Sequence, residues 1–154
     1  MSQRSPIVIK ILDETRDLIR NLMQVPKDFE ILFMQGGATA QFSAIPMNLK
    51  SSKSHADYFI TGRWSQKAAE EAEKYLTVHK VFEPSPDFSK IPEESLWSFT
   101  ISENSAYTYY CANETVHGVE FLAPKSKSLL VADVSSCFLA KPFDFKNHAL
   151  QCVS

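Results

Sequence analysis

The sequence predicts an α/β protein with a mostly parallel sheet and crossover helices. Short apolar runs of strand length alternate along the 154 residues with longer stretches whose apolar residues recur at helical spacing. Glycine or proline separates many of these runs, as at Pro26 and Gly62. Because parallel strands need a long crossover between them, usually a helix, this alternation favours parallel over antiparallel pairing.

The composition is that of an ordinary globular protein and argues against several classes of partner. Hydrophobic residues make up 44% of the chain and charged residues 22%, so bulk disorder is not expected. The net charge of -2 gives no electrostatic case for nucleic acid or an anionic membrane. With no apolar run of membrane-spanning length and no signal-peptide pattern, a cytoplasmic protein is predicted. The three cysteines and four histidines lack metal-ligand spacing, so no metal is predicted.

The first predicted element is a helix that begins at Ser5-Pro6 and ends at Pro26. A hydroxyl residue followed by proline is a typical helix start, and the apolar residues after it fall mostly on one face. The apolar residues 31–34 then predict a short buried strand. A second helix is expected soon after it, with Pro46 bending or ending that helix.

The same alternation continues through the rest of the chain. A helix rich in alanine and glutamate is predicted at residues 65–75, and prolines make residues 83–94 an exposed connection. Further strands are predicted at residues 58–61, 78–82, 107–111 and 129–132. No internal repeat interrupts this order, so we expect one domain or part of one.

A glycine pair marks the first candidate site. Gly36-Gly37 follows a predicted strand and opens a helix at about Thr39. Ligands of open parallel sheets bind beyond the carboxyl ends of the strands, and a helix start there offers free N–H groups and a favourable dipole to a phosphate. The same pair is also consistent with a simple turn.

Three further candidate residues, Trp64, Thr115 and Asp133, each follow or end a predicted strand. An indole could stack on a flat heteroaromatic ring, or pack in the core or at its rim. A hydroxyl could hydrogen-bond a ligand oxygen, or belong to a turn-forming polar cluster. A carboxylate could pair with a protonated pyridine nitrogen, or cap the turn that follows. Each position alone leaves both interpretations open.

Taken in order, several segments carry a more specific signal. They are QGGATAQF at residues 35–42, PMNL at 46–49, ADY at 56–58, TGRWS at 61–65, YYCANETVHGVEF at 109–121 and DVSS at 133–136. Together they resemble the phosphoserine aminotransferases, fold-type I pyridoxal-phosphate enzymes of the class V aminotransferase family. The resemblance covers nearly the whole chain, in the family's order and approximate spacing.

The resemblance implies an enzyme of serine biosynthesis that is a homodimer. Such an enzyme uses pyridoxal 5'-phosphate to exchange an amino group between glutamate and 3-phosphohydroxypyruvate, giving 2-oxoglutarate and phosphoserine. By matched position, Thr39 and Ala40 would contact the cofactor phosphate and Trp64 would stack on the ring. Thr115 would hydrogen-bond the ring hydroxyl, and Asp133 would pair with the pyridine nitrogen.

The N-terminal segment matches the substrate-binding part of the family in one residue and departs from it in another. Arg4 matches the arginine that binds the substrate carboxylate, a task that suits a guanidinium fork. Gln3 stands where the family has a histidine associated with the substrate phosphate, and glutamine cannot become cationic. No residue matches the family's Schiff-base lysine, since Lys141 corresponds to a separate basic residue before proline. No catalytic residue is therefore assigned.

These departures lead to a prediction about the extent of the chain and leave two hypotheses open. Residues 1–154 are expected to be an incomplete cofactor-binding large domain, truncated at both ends and without the small C-terminal domain. Under the first hypothesis they belong to an active aminotransferase. Under the second they are a catalytically inactive fragment, which acts, if at all, by weak cofactor binding or by pairing with a full-length subunit. In either case we expect residues 1–154 alone to show no transamination.

Overall fold

The computed structural model describes residues 2, 4–100 and 104–153. In this part of the chain the α-helices are α1 (Pro6–Leu22), α2 (Gly37–Leu49) and α3 (Arg63–Ala72), with one short 3-10 helix at Glu94–Leu96. The strands are β1 (His55–Tyr58), β2 (Thr77–Lys80), β3 (Ser105–Cys111), β4 (Asn113–Glu114), β5 (Val119–Glu120), β6 (Leu130–Asp133) and β7 (His148–Cys152). None of the described helices is both long enough and apolar enough to cross a membrane.

Five of the described strands form one sheet in the order β2-β1-β3-β6-β7. Every pairing in this sheet is parallel, whereas β4 and β5 form a separate antiparallel hairpin. The predicted α/β class with a mostly parallel sheet is therefore confirmed. Since all five strands run in one direction, their carboxyl ends lie along a single edge of the sheet.

The core of the sheet is built on tyrosines from β1 and β3. The rings of Tyr58 and Tyr109 stack with their centroids 4.9 Å apart. The hydroxyls of Tyr58 and Tyr107 share a hydrogen bond of 2.8 Å, so two buried polar groups satisfy each other. Helix α3 turns its buried alanines, Ala68 and Ala69 among them, toward this core. Small side chains on that face allow close packing of a helix on the sheet.

The chain divides into two compact units. One comprises Met1–Met34 and Leu139–Lys146, and the other Gln35–Phe138 and Asn147–Ser154. In the first unit, the guanidinium of Arg20 donates hydrogen bonds to the carbonyls of Pro26 and Phe29, at 2.8 and 2.9 Å. The ring of Phe29 also meets Phe145 edge-on, at 5.2 Å between centroids. The second unit contains both sheets and the helices α2 and α3.

The predicted buried strand at residues 31–34 is wrong. These residues belong to neither sheet of the described structure, and Leu32 is 72% exposed. A strand needs a neighbouring strand to pair with its backbone groups, and apolar composition alone does not supply one. The sequence pattern identifies the apolar run correctly, but it does not show whether a partner strand lies beside that run.

Several other predicted elements are present with shifted ends. Helix α1 ends at Leu22, before Gln24 turns left-handed with φ of 53°, and so stops short of Pro26. Helix α2 continues through Pro46 to its end at Leu49, so this proline does not end the helix. The strand predicted at residues 58–61 is β1, three residues earlier at both ends. Strand β7 was not predicted, because its mixed polar and apolar residues give a weak pattern.

Candidate functional site

The carboxyl edge of the sheet brings together the ends of β1, β3 and β6, which are neighbours in the strand order. Trp64 follows β1 in the first turn of α3, and Thr115 follows β3 in the hairpin connection. Asp133 is the last residue of β6. This edge is where open parallel sheets bind their ligands.

Trp64 and Thr115 are in direct contact. The indole Nε1–H donates a hydrogen bond of 3.0 Å to the Thr115 hydroxyl oxygen. Because the oxygen accepts from the indole, the hydroxyl hydrogen of Thr115 is left to donate to a third group. The ammonium of Lys67 lies over the Trp64 ring, 5.0 Å from a ring centroid. Lys67 thus occupies one face of the indole.

Asp133 is 5% exposed and its carboxylate is held by groups from two elements. The Ser135 backbone N–H and hydroxyl donate to Oδ1 at 3.0 and 2.7 Å. The Tyr109 hydroxyl, on the neighbouring strand β3, donates to Oδ2 at 3.3 Å. The side chain therefore has a defined orientation at the strand end, and its charge is placed where a cationic group of a ligand could meet it.

The surroundings of Asp133 keep nearby acidic groups neutral. Burial raises the pKa of Tyr109 well above its ordinary value, and the Asp133 charge raises it further. Burial first and then the same carboxylate also raise the pKa of the Cys111 and Cys152 thiols. Tyr109 is therefore a hydrogen-bond donor at neutral pH, and neither thiol is a nucleophile there.

Thr39 and Ala40 lie in the first turn of α2, which begins at Gly37, slightly earlier than predicted, and follows no strand of either described sheet. The helix begins after Gly36, whose φ of 98° is left-handed, and a Cβ on Gly36 would lie 2.3 Å from the Cβ of Ala40. The Ala40 N–H donates to the Gly36 carbonyl at 3.2 Å. By helix geometry, the N–H groups without an intrahelical partner are those before Ala40. The first turn of α2 thus offers an anion the N–H of Thr39 more readily than that of Ala40.

These groups fit a flat, anionic heteroaromatic cofactor. The indole offers one face for stacking, Thr115 a hydroxyl hydrogen, and Asp133 an anchored negative charge. The start of α2 offers N–H groups to a phosphate. Among residues 2, 4–100 and 104–153, no cluster of three His, Cys, Asp or Glu side chains could hold a metal ion.

Comparison with known proteins decides the family. The sequence profile described as "Aminotransferase class-V" matches residues 1–152. The chain belongs to the class-V aminotransferase family. This confirms the family resemblance seen in the sequence.

This class-V aminotransferase chain is similar to several proteins named phosphoserine aminotransferase. It is 58% identical over 153 residues to a "Probable phosphoserine aminotransferase" of Caenorhabditis elegans, covering 97% of this chain and 41% of that protein. It is 46% identical over 147 residues to the "Phosphoserine aminotransferase" of Drosophila melanogaster, covering 94% and 40%. A PLP-bound phosphoserine aminotransferase from Trichomonas vaginalis superposes with a TM-score of 0.90 at 36% identity, covering 99% and 46%. The chain thus spans less than half the length of these proteins.

The remaining predicted residue of the class-V aminotransferase site, Arg4, lies in the first compact unit. It is exposed, and its backbone N–H donates to the Ser2 hydroxyl at 3.2 Å. Gln3, which stands where the family has a histidine, lies outside the described part of the chain. The role of Arg4 at the substrate carboxylate stays a prediction.

Sequence reasoning missed two residues that contact members of this candidate site, Tyr109 and Glu114. Tyr109 appeared in a predicted core strand and in the family-matching segment at residues 109–121, and no role at the site was predicted for it. Glu114 appeared in the family-matching segment at residues 109–121, beside Thr115 in a polar cluster, and no role was predicted for it. In the structure Glu114 is fully buried and accepts hydrogen bonds from the start of α3. A glutamate in a polar stretch carries no sequence signal that it is buried.

Proposed function

We propose that the protein acts as a phosphoserine:2-oxoglutarate aminotransferase that depends on pyridoxal phosphate. The observation that carries the proposal is the placement of Trp64, Thr115 and Asp133 at the carboxyl ends of three neighbouring strands. The names of the similar proteins from Caenorhabditis elegans and Drosophila melanogaster support the choice of phosphoserine as substrate.

Pyridoxal phosphate, when bound, supplies a pyridine ring that withdraws electrons from the carbon bearing the amino group. Asp133 would hold a proton on the ring nitrogen, because its anchored carboxylate places a negative charge beside that atom. Thr115 would donate its hydroxyl hydrogen to the ring oxygen, since its own oxygen already accepts from Trp64. Trp64 would orient the ring by stacking on it with the face that Lys67 leaves open.

The charged ends of cofactor and substrate would be held away from the ring. Thr39 and Ala40, at the start of α2, would contact the cofactor phosphate through the favourable end of the helix dipole. Arg4 would bind a substrate carboxylate with its guanidinium. The substrates are then glutamate with 3-phosphohydroxypyruvate in one direction and phosphoserine with 2-oxoglutarate in the other.

The organisation of the protein is part of the same proposal. Residues 1–154 would belong to the cofactor-binding large domain of a homodimeric, cytoplasmic enzyme, with neither nucleic acid nor membrane as a partner. The family resemblance supports the domain and the homodimer, and the ordinary composition and charge support the remainder. None of these residues is proposed as the lysine that carries the cofactor.

A comparison of substrates with the intact protein tests this function. With pyridoxal phosphate and 2-oxoglutarate present, we expect formation of glutamate that depends on phosphoserine and is much slower with serine. The matched comparison is alanine with glyoxylate, a pair without any phosphate. Preferred turnover of alanine and glyoxylate over phosphoserine and 2-oxoglutarate would overturn the substrate assignment while leaving the cofactor assignment standing.

A further inference from the structure

We infer that Glu114 is a positioning residue, which holds the indole of Trp64 against the hydroxyl of Thr115 by capping α3 from the neighbouring hairpin connection. The inference deepens the proposed function, and rests on it in so far as Trp64 and Thr115 contact the cofactor. Glu114 would touch neither cofactor nor substrate. Its effect on cofactor binding would be indirect, through Trp64 and Thr115, which would contact the cofactor.

The N-cap position of α3 has no side chain that could accept from the first N–H groups of the helix. Its N-cap residue is Gly62, so the first N–H groups of the helix need an acceptor from elsewhere. The Glu114 carboxylate supplies it: the Trp64 N–H donates to Oε2 at 2.9 Å and the Ser65 N–H to Oε1 at 2.8 Å. A negative charge at this end of a helix is also favoured by the helix dipole.

Ser65 extends the contact to the end of β1. Its hydroxyl donates to Glu114 Oε1 at 2.5 Å and accepts from the N–H groups of Thr61 and Gly62, at 2.9 and 3.1 Å. The segment that connects β1 to α3 is therefore tied to the same carboxylate as the helix itself. Because charge-assisted hydrogen bonds are stronger than neutral ones, this network fixes the position of Trp64 along the helix.

Gly62 is what allows Glu114 to come this close. A Cβ at position 62 would lie 2.5 Å from Cδ, 2.6 Å from Oε2 and 2.7 Å from Cγ of Glu114. Cδ and Oε2 belong to the carboxyl group and Cγ is the methylene that carries it, so the side chain cannot move aside without losing the hydrogen bonds of the carboxylate. A glycine at the helix start and a glutamate in the hairpin are thus a matched pair.

The same carboxylate acts on Thr115, the next residue in the chain. Glu114 is fully buried. Because its carboxylate is fixed by hydrogen bonds, the adjacent backbone of Thr115 is fixed as well. The bond from Trp64 Nε1 to Thr115 Oγ1 then closes a loop of contacts: carboxylate to helix, helix to indole, indole to hydroxyl. Since the indole takes the hydroxyl oxygen as its acceptor, this loop directs the Thr115 hydrogen toward a ligand oxygen.

The test compares Glu114→Ala and Glu114→Gln with the control Glu73→Ala in the intact protein. Glu73 is an exposed glutamate at the other end of α3, so its variant also removes one glutamate charge next to this helix but leaves the Glu114 cap in place. The readouts are hydrogen exchange of the Trp64 and Ser65 amides, the NMR resonance of the Trp64 indole N–H, and the dissociation constant of pyridoxal phosphate. The resonance is assigned by its loss in Trp64→Phe.

In Glu114→Ala we expect amide exchange at positions 64 and 65 to accelerate by about tenfold or more, because both groups lose their acceptor. The indole resonance should shift, and the dissociation constant of pyridoxal phosphate should rise by about tenfold. Glu114→Gln keeps one acceptor oxygen but turns an amide NH₂ toward the other N–H. Each change should therefore be smaller in Glu114→Gln than in Glu114→Ala. Glu73→Ala should leave all three readouts unchanged.

An unshifted indole resonance in Glu114→Ala, with amide exchange as in the unmodified protein, would overturn the inference even if the variant melts at a lower temperature. If Glu114→Ala does not fold, Glu114→Gln decides by the same readouts, since it preserves the side-chain volume. If the unmodified protein binds no pyridoxal phosphate, the proposed function fails. Amide exchange and the indole resonance still decide the role of Glu114 in that case.

Discussion

The hydroxyl of Tyr109 donates a hydrogen bond to Oδ2 of Asp133 across two neighbouring strands, at 3.3 Å. Tyr109 is fully buried, and its ring stacks on that of Tyr58 in the middle of the sheet. Asp133 ends β6 at the candidate site. The tyrosine core of the sheet is therefore in direct contact with the carboxylate proposed to meet the cofactor.

Replacing Tyr109 by phenylalanine should loosen Asp133. The variant keeps the stacked ring but removes one hydrogen bond to a charged acceptor, which we expect to lower the free energy of unfolding by about 1–3 kcal/mol. Pyridoxal phosphate should bind several-fold more weakly by absorbance titration. Tyr107→Phe is the control, since its hydroxyl bonds Tyr58 and not Asp133. Equal cofactor affinity in the two variants would argue against a link from Tyr109 to the site.

Replacing Trp64 by phenylalanine should separate ring stacking from hydrogen bonding. An aromatic face remains, but the Thr115 oxygen loses the indole donor and its hydroxyl becomes free to rotate. We expect the dissociation constant of pyridoxal phosphate to rise by about three- to tenfold.

Two changes at Thr115 complete that comparison. Thr115→Ser keeps the hydroxyl and should bind the cofactor nearly as the unmodified protein does, whereas Thr115→Val, which has none, should bind it more weakly. If valine is tolerated as well as serine in equilibrium titration, the hydroxyl does not contact the cofactor.

Adding a single methyl group at Gly62 should disturb the start of α3. The Cβ of Gly62→Ala would overlap the Glu114 carboxyl group, and we expect a loss of about 1–3 kcal/mol in the free energy of unfolding, measured with urea. Pairing it with Glu114→Ala in a double-mutant cycle should give a combined loss smaller than the sum of the two, because the clash disappears with the carboxylate. Strict additivity would contradict the matched-pair interpretation.

Alkaline pH should destabilise the tyrosine core. Burial raises the pKa of Tyr107 from 10.0 to about 12, so the folded protein holds this proton more tightly than the unfolded chain. The stability it contributes is fully present below pH 10 and is lost as the pH rises toward about 12, by about 1.4 kcal/mol per pH unit within that window. Urea unfolding across this range measures it. In Tyr107→Phe the dependence should be shallower, and an unchanged slope would contradict the assignment.

Much of this protein could be predicted from local sequence. The alternation of apolar runs predicted the parallel sheet, and Ser5-Pro6 predicted the start of α1. The strand-end positions of Trp64, Thr115 and Asp133 predicted that these residues lie at the carboxyl edge of the sheet, where β1, β3 and β6 are neighbours. Such features depend on periodicity, capping and chain direction, which operate over a few residues and can be read from the sequence.

Other features were decided only by the tertiary structure. The Trp64–Thr115 hydrogen bond joins residues 51 apart in the chain, and Glu114 becomes a helix cap only because the hairpin lies beside α3. Residues 31–34 are as apolar as a buried strand, yet neither sheet includes them. Which chemical groups the strand ends carry, and the family to which they point, follow from the amino-acid sequence alone. Which groups touch, and whether an apolar run pairs, was decided by the packing of distant elements, because a hydrogen bond needs its partner in place.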